Sequence, residues 1–151
     1  MADHPKWVGD RTTIAVIAAF QLAGYGVYLP LGENTRCDLV VEQDSKLTRV
    51  QCKTGRLRNG VVSFAVCSTY GHHRNPLATR RTYHGEIDVF GVYCLDTSTV
   101  YVVPIQDAPG GSRASLRINP PRNNQRRRIR LAADYELARV AIAGLRAPSG
   151  A

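Results

Sequence analysis

The order of apolar runs and turn signals predicts an α/β or α+β domain with a mixed central sheet. Three observations carry this. A long apolar stretch, Thr12 to Ala23, contains no Gly or Pro and reads as a helix. Short runs rich in Val, Ile, Tyr and Cys, punctuated by Gly, Pro and Asn, read as strands. A last stretch, Leu131 to Leu145, reads as a second helix.

Taken in order, residues 1–8 read as a polar lead-in, and Asp10 is the expected N-cap of the first helix. Gly24 is its expected stop. Tyr25 to Pro30, Cys37 to Val41 and Leu47 to Cys52 are the first three predicted strands. The unbroken Leu39-Val-Val suggests a central strand buried on both faces. Thr54 to Gly60 reads as a basic turn, and Val61 to Cys67 as a fourth strand. Ser68 to Gly85 is polar, aromatic and basic, too long for a simple turn. Ile87 to Cys94 and Thr99 to Pro104 read as a hairpin, and Ser115 to Ile118 as a short edge strand. Residues 119–128 form a basic loop. The expected organisation is one domain, 9–146, between the lead-in and a frayed tail, 147–151.

The chain has 151 residues, 44% of them apolar, enough for a real core. No apolar run approaches bilayer length, and no secretion signal opens the chain, so a cytosolic protein without membrane contact is expected. Cys37, Cys52, Cys67 and Cys94 lie in or beside apolar runs without a CxxC pair, and read as buried thiols. Lys and Arg number 20 against 12 Asp and Glu, a net charge of +8. The excess is clustered arginine, which suits a polyanion, nucleic acid above all. The competing reading is a solvated basic surface.

The chemistry concentrates on the hairpin from Asn34 to Lys53. Asp38 starts one strand; Gln51 and Lys53 end the next and share a face, because side chains alternate along a strand. An acid, an amide oxygen and an ammonium then lie near one sheet edge. Mg²⁺ takes oxygen ligands: the Asp38 carboxylate, the Gln51 side chain and the Cys52 backbone carbonyl are candidates. Lys53 can activate water or offset phosphate charge. The plainer alternative is Asp38 as an edge acid paired with Lys53. His72, His73 and His84 with Asn75 superficially suggest a zinc or His-Asn-His site, but they lack ligand spacing. A DNA-contacting loop with Tyr70, His72, His73 and Arg74 is the expectation there. Glu86 and Asp88 either add a carboxylate to the site or pair with arginines, with pairing favoured. Arg56, Arg58, Arg80 and Arg81 are candidate phosphate contacts. Asn123, Asn124, Gln125 and Arg126 either read base edges or form a solvated loop.

Gly24-Tyr-Gly-Val-Tyr-Leu-Pro, Gly32-Glu-Asn-Thr-Arg-Cys-Asp-Leu-Val-Val and Arg49-Val-Gln-Cys-Lys-Thr-Gly resemble the PD-(D/E)XK nuclease superfamily. They are most similar to the branch holding group I intron-encoded homing endonucleases, where glutamine replaces the usual acid; archaeal Holliday-junction resolvases are more distant. The likeness continues through Tyr83-His-Gly-Glu-Ile-Asp-Val-Phe-Gly-Val-Tyr, Val100-Tyr-Val-Val-Pro and Arg122-Asn-Asn-Gln, covering about residues 9 to 136. It implies a restriction-endonuclease-like mixed sheet flanked by helices. It also implies Mg²⁺-dependent (or Mn²⁺-dependent) hydrolysis of double-stranded or branched DNA by a homodimer or higher homo-oligomer. Asp38 becomes the metal carboxylate, Gln51 the substituted ligand and Lys53 the catalytic lysine. The place implied is the cytoplasm, at the nucleoid. One departure stands out: Thr13 occupies the position of the family's first-helix glutamate. Asp10 lies one turn before it and could lean toward the same site. Two functions follow, a working endonuclease or a DNA-binding protein with a weakened nuclease site.

Overall fold

A computed structural model of the chain describes residues 2, 4–69, 80–108, 110–123 and 127–138. Helix α1 spans Pro5–Leu22. Strands follow as β1 (Gly26–Tyr28), β2 (Leu39–Gln43), β3 (Lys46–Arg58), β4 (Val61–Ala65), β5 (Cys67–Thr69), β6 (Arg80–Thr82), β7 (Val89–Cys94), β8 (Thr99–Pro104) and β9 (Arg113–Arg117).

The helix starts earlier than expected. Pro5 fits the first turn, where its missing N–H is no loss, and the His4 ring nitrogen accepts from Lys6 N–H at 3.3 Å. Asp10 is therefore an exposed residue within α1, not its N-cap. The predicted stop is where the sequence places it. Gly24 takes φ +90°, Gly24 N–H donates to Gln21 O and Tyr25 N–H to Phe20 O, and the Phe20 and Tyr25 rings meet edge-on at 5.2 Å. These are the two hydrogen bonds and the apolar contact of a Schellman end.

β3 is the spine of the sheet. It pairs antiparallel with β2 over Lys46–Val50, parallel with β7 over Val50–Gly55, and antiparallel with β4 over Arg56–Arg58. The parallel β3–β7 pair among these antiparallel ones makes the sheet mixed. Thr54 to Gly60, expected as a turn, is strand as far as Arg58. The reversal falls on Asn59 (φ 49°) and Gly60 (φ 73°), both in the left-handed region that two-residue hairpins require. Asp44 and Ser45 make the same kind of turn between β2 and β3.

Two cores lie on opposite faces of β3. Val16 and Phe20 of α1 pack on Leu39, Val41, Val50, Cys52 and Val89. Phe90, Val92 and Cys94 pack on Val62 and Phe64 of β4, and on Ala114 and Leu116 of β9. Close approach needs a missing Cβ at two places. A Cβ on Gly91 would meet Val16 Cγ1 at 2.8 Å, under the helix. One on Gly55 would meet Val62 Cγ1 at 2.8 Å, where β4 folds over β7. The strands buried on both faces are β7 and β8 rather than β2, whose Val40 is only half-buried.

The second predicted helix is corrected at its start. Residues 131–136 are not α-helical: a 3₁₀ turn, Ala132–Asp134, stands between single bridges from Leu131 to Arg117 and from Glu136 to Tyr101. Val102 N–H donates to Tyr135 O at 2.7 Å, so this segment covers the open edge of β8. Residues 139–145 of that prediction lie outside the described residues. Among the described residues no helix is long and apolar enough to cross a membrane.

Candidate active site

The site forms where the pairing of β3 changes hands. β2 leaves at Val50 and β4 joins at Arg56, so Gln51 to Gly55 keep β7 alone as a strand partner among the described residues. Asp38 enters that gap. Its backbone N–H donates to Val50 O at 2.9 Å, and its carboxylate Oδ2 accepts the Cys52 N–H at 2.9 Å. Asp38 thus grips β3 on both sides of Gln51. The predicted constellation is therefore at an internal seam of the sheet, not at its outer edge.

Burial pushes the Asp38 carboxyl above its ordinary range, against the smaller opposing effects of the Cys52 N–H and the Lys53 charge. The negative charge of this acid is poorly solvated and only partly compensated there. The alternative of a simple Asp38–Lys53 pair is not what the structure contains. Among the described residues Lys53 makes no ion pair with Asp38; its Nζ donates to the Tyr83 hydroxyl at 3.0 Å.

Thr13 faces the other side of β3. Its hydroxyl bonds Gly9 O at 3.2 Å and reaches the Cys52 sulfur. Burial, then the Asp38 charge, push the Cys52 thiol up, so it stays protonated and inert. All four cysteines are free, three of them buried. Among the described residues no group of three or more His, Cys, Asp or Glu side chains gathers to hold a metal. The donors that fit a hard divalent cation are one carboxylate, the Gln51 amide oxygen and the Cys52 carbonyl on the strand edge. All are oxygens, and the cation would offset the cost of the buried Asp38 charge. The set fits, with one anion where two are usual.

Glu86 and Asp88 pair with arginines, as the sequence favoured. Glu86 bridges Arg36 and Arg81, the latter at 2.7 Å, and these bonds hold its carboxyl low. Asp88 takes the Arg49 N–H at 2.7 Å and its guanidinium at 3.0 and 3.1 Å, and is also held low.

Sequence reasoning missed Tyr83 and Arg36. Tyr83 is 4% exposed, with the Arg36 guanidinium 4.1 Å above its ring. Of the predicted DNA contacts, Arg56, Arg58, Arg80, Arg81 and Asn123 are exposed, with Arg81 tied to Glu86. His72, His73, Arg74, Asn124, Gln125 and Arg126 lie outside the described residues. Arg56 and Arg58 are joined on one sheet face by residues the sequence did not single out. The registers Arg56↔Ser63↔Ser115 and Arg58↔Val61↔Arg117 place them beside β9, and Arg113 reaches Ser63 Oγ at 2.9 Å. Val62, Phe64, Ala114 and Leu116 fill the opposite, buried face.

A mixed sheet split at its central strand, with an acid in the split and Gln-x-Lys beside it, defines a nuclease-type core. The model of the PD-(D/E)XK endonuclease family matches residues 3–138, and the chain belongs to that family. Among solved structures it is similar to that of a bacterial homing endonuclease, I-Ssp6803I. The TM-score is 0.73 at 26% identity, over 93% of this chain and 93% of that one. A comparison with curated proteins finds no match.

Proposed function

We propose that this protein is a metal-dependent DNA endonuclease of the homing or junction-resolving kind. The observation that carries this is the Asp38 carboxylate, half-buried in the seam of β3 beside Gln51 and Lys53 and unclaimed by any arginine among the described residues. Asp38, Gln51 Oε1 and the Cys52 carbonyl would hold Mg²⁺, or Mn²⁺ in its place. The bound ion would supply Lewis acidity to a phosphoryl oxygen and ease deprotonation of water. Lys53 Nζ would hold charge against the phosphate as water adds to phosphorus and the P–O bond to the leaving oxygen breaks. Asp38 fixes the spacing of these groups by gripping β3 on both sides of Gln51.

The outer face of β3, β4 and β9 would hold the DNA backbone. Arg56, Arg58, Arg113 and Arg117, with Ser63 and Ser115, form a face whose alternate residues are core, so it presents guanidinium and hydroxyl groups alone among its polar side chains. Cutting both strands of a duplex takes two sites, which favours a homodimer or higher homo-oligomer. The setting is the cytoplasm, on the nucleoid.

A second reading rests on Thr13. Its hydroxyl is committed to Gly9 O and the Cys52 sulfur, which favours a nuclease-fold DNA binder with a weakened site. Plasmid and branched-DNA cleavage in Mg²⁺ or Mn²⁺ separates the two. Endonuclease action predicts cutting by the wild type and loss in Lys53→Ala. No wild-type cutting, with gain in Thr13→Glu, would establish the second reading. Cleavage unchanged in Lys53→Ala would remove Lys53 from the site.

A further inference from the structure

We infer that Tyr83 is a positioning residue for Lys53, and that Arg36 fixes Tyr83 in turn. This rests on the endonuclease reading above. Lysine carries its charge on a long flexible stem, so a lysine that acts at one phosphate needs something to aim it. In this seam the neighbouring side chain at Gln51 is neutral, and Asp38, whose Oδ2 accepts the Cys52 N–H, makes no hydrogen bond to Lys53. The aiming group is the Tyr83 hydroxyl, which accepts one of the three Lys53 N–H groups at 3.0 Å. The ammonium also lies 4.7 Å from the Tyr83 ring centroid, a contact that does not use up an N–H, so the other N–H groups can turn to water or phosphate. Because the acceptor is uncharged, Lys53 gains a direction without having its charge cancelled by an ion pair.

The tyrosine is itself immobilised. Phe90 meets its ring edge-on at 5.7 Å, and the Arg36 guanidinium covers it at 4.1 Å. Arg36 is held by Glu86, by Ser68 Oγ at 2.9 Å and by Thr82 O at 3.0 Å. It stands two residues before Asp38. One brace therefore links the segment that delivers Asp38, the strand that carries Lys53 and the β6–β7 connection. Asp38 and Lys53 are set relative to each other through Arg36 and Tyr83.

Tyr83→Phe tests this, because it keeps the ring against Arg36 and Phe90 and removes only the hydroxyl. The expected result is a fall in kcat of about 10-fold, the scale of one lost orienting contact. KM for DNA and the thermal midpoint should hold. In a Lys53→Ala background the same change should cost nothing further. A readout independent of cleavage is the rate at which an amine-reactive acylating reagent modifies Lys53, followed by peptide mass mapping. That rate should rise in Tyr83→Phe. An unchanged kcat would overturn the inference, as would a loss explained wholly by a lowered thermal midpoint. If the wild type cuts no DNA, the endonuclease reading fails, and the acylation rate alone decides: equal rates in wild type and Tyr83→Phe would overturn the brace.

Discussion

Asp38 and Asp88 occupy matching places and have opposite characters. Each stands just before a strand that flanks β3, Asp38 before β2 and Asp88 before β7. Each donates its own N–H to a β3 carbonyl, Val50 O at 2.9 Å and Arg49 O at 3.0 Å. Each accepts a β3 N–H on its carboxylate, from Cys52 and from Arg49. Two things differ: the Arg49 guanidinium closes on Asp88 while none among the described residues closes on Asp38, and Asp38 is the more deeply placed of the two. The Arg49 hydrogen bonds hold Asp88 below its ordinary range, and burial pushes Asp38 above it. The same backbone device yields a staple on one side of β3 and a chemically available acid on the other.

The comparison breaks most severely at Asp38. Asp38→Asn should reduce cleavage by at least about 10³-fold, since the sole carboxylate of the proposed metal set is gone. It should also stabilise the metal-free fold at pH 7. Asp38 is raised in the fold, so its ionised form costs stability at neutral pH. That cost is relieved as pH falls through the raised value, above the ordinary 3.8. Thermal melts at pH 7 and at pH 3 should therefore show a higher midpoint for Asp38→Asn at pH 7 and a smaller gain at pH 3. Next in size is Lys53→Ala, expected to lower kcat about 10²-fold with the fold intact.

Asp88→Asn sharpens the contrast from the other side. It should cost about 1 kcal/mol, modest because the pair is partly exposed, and leave cleavage near wild type. The sign of its pH dependence is opposite to that of Asp38. Asp88 is lowered in the fold, so the wild type keeps this contribution above the ordinary 3.8 and loses it as pH falls through the lowered value. The melts of wild type and Asp88→Asn should therefore converge at strongly acid pH. Smaller still in its effect on chemistry is Arg117→Gln on the β9 face. It should weaken DNA binding about equally across sequences and reduce the salt slope by about one, with kcat unchanged.

The placement of Asp38 beside the β3 segment that carries Gln51 and Lys53 is legible in the sequence, because a short hairpin and strand alternation fix it locally. Asp38 lies 14 residues from Cys52, within reach of a single turn at Asp44 and Ser45. Tyr83 was not legible as a partner of Lys53, because 30 residues and the β5–β6 excursion separate them. Arg36 lies 50 residues from Glu86 and was hidden for the same reason. Asn59-Gly60 is a strong hairpin signal, and it, not the whole of Thr54 to Gly60, makes the turn. Gly55 serves packing, admitting Val62 against β3. Leu131 to Glu136 carries a helix-like apolar pattern, but the open edges of β8 and β9 claim its backbone, with Arg117 N–H bound to Arg130 O and Val102 N–H to Tyr135 O. Tertiary pairing overrode propensity there.

Asp38, which no arginine among the described residues pairs, is the acid proposed to hold a metal. The direct measurement is the thermal midpoint of wild type, Asp38→Asn and Asp88→Asn as Mn²⁺ is titrated, because a ligand that binds only the folded state raises it. The account predicts a rise for wild type and Asp88→Asn and none for Asp38→Asn. A rise that survives in Asp38→Asn, or one that vanishes in Asp88→Asn, would contradict it.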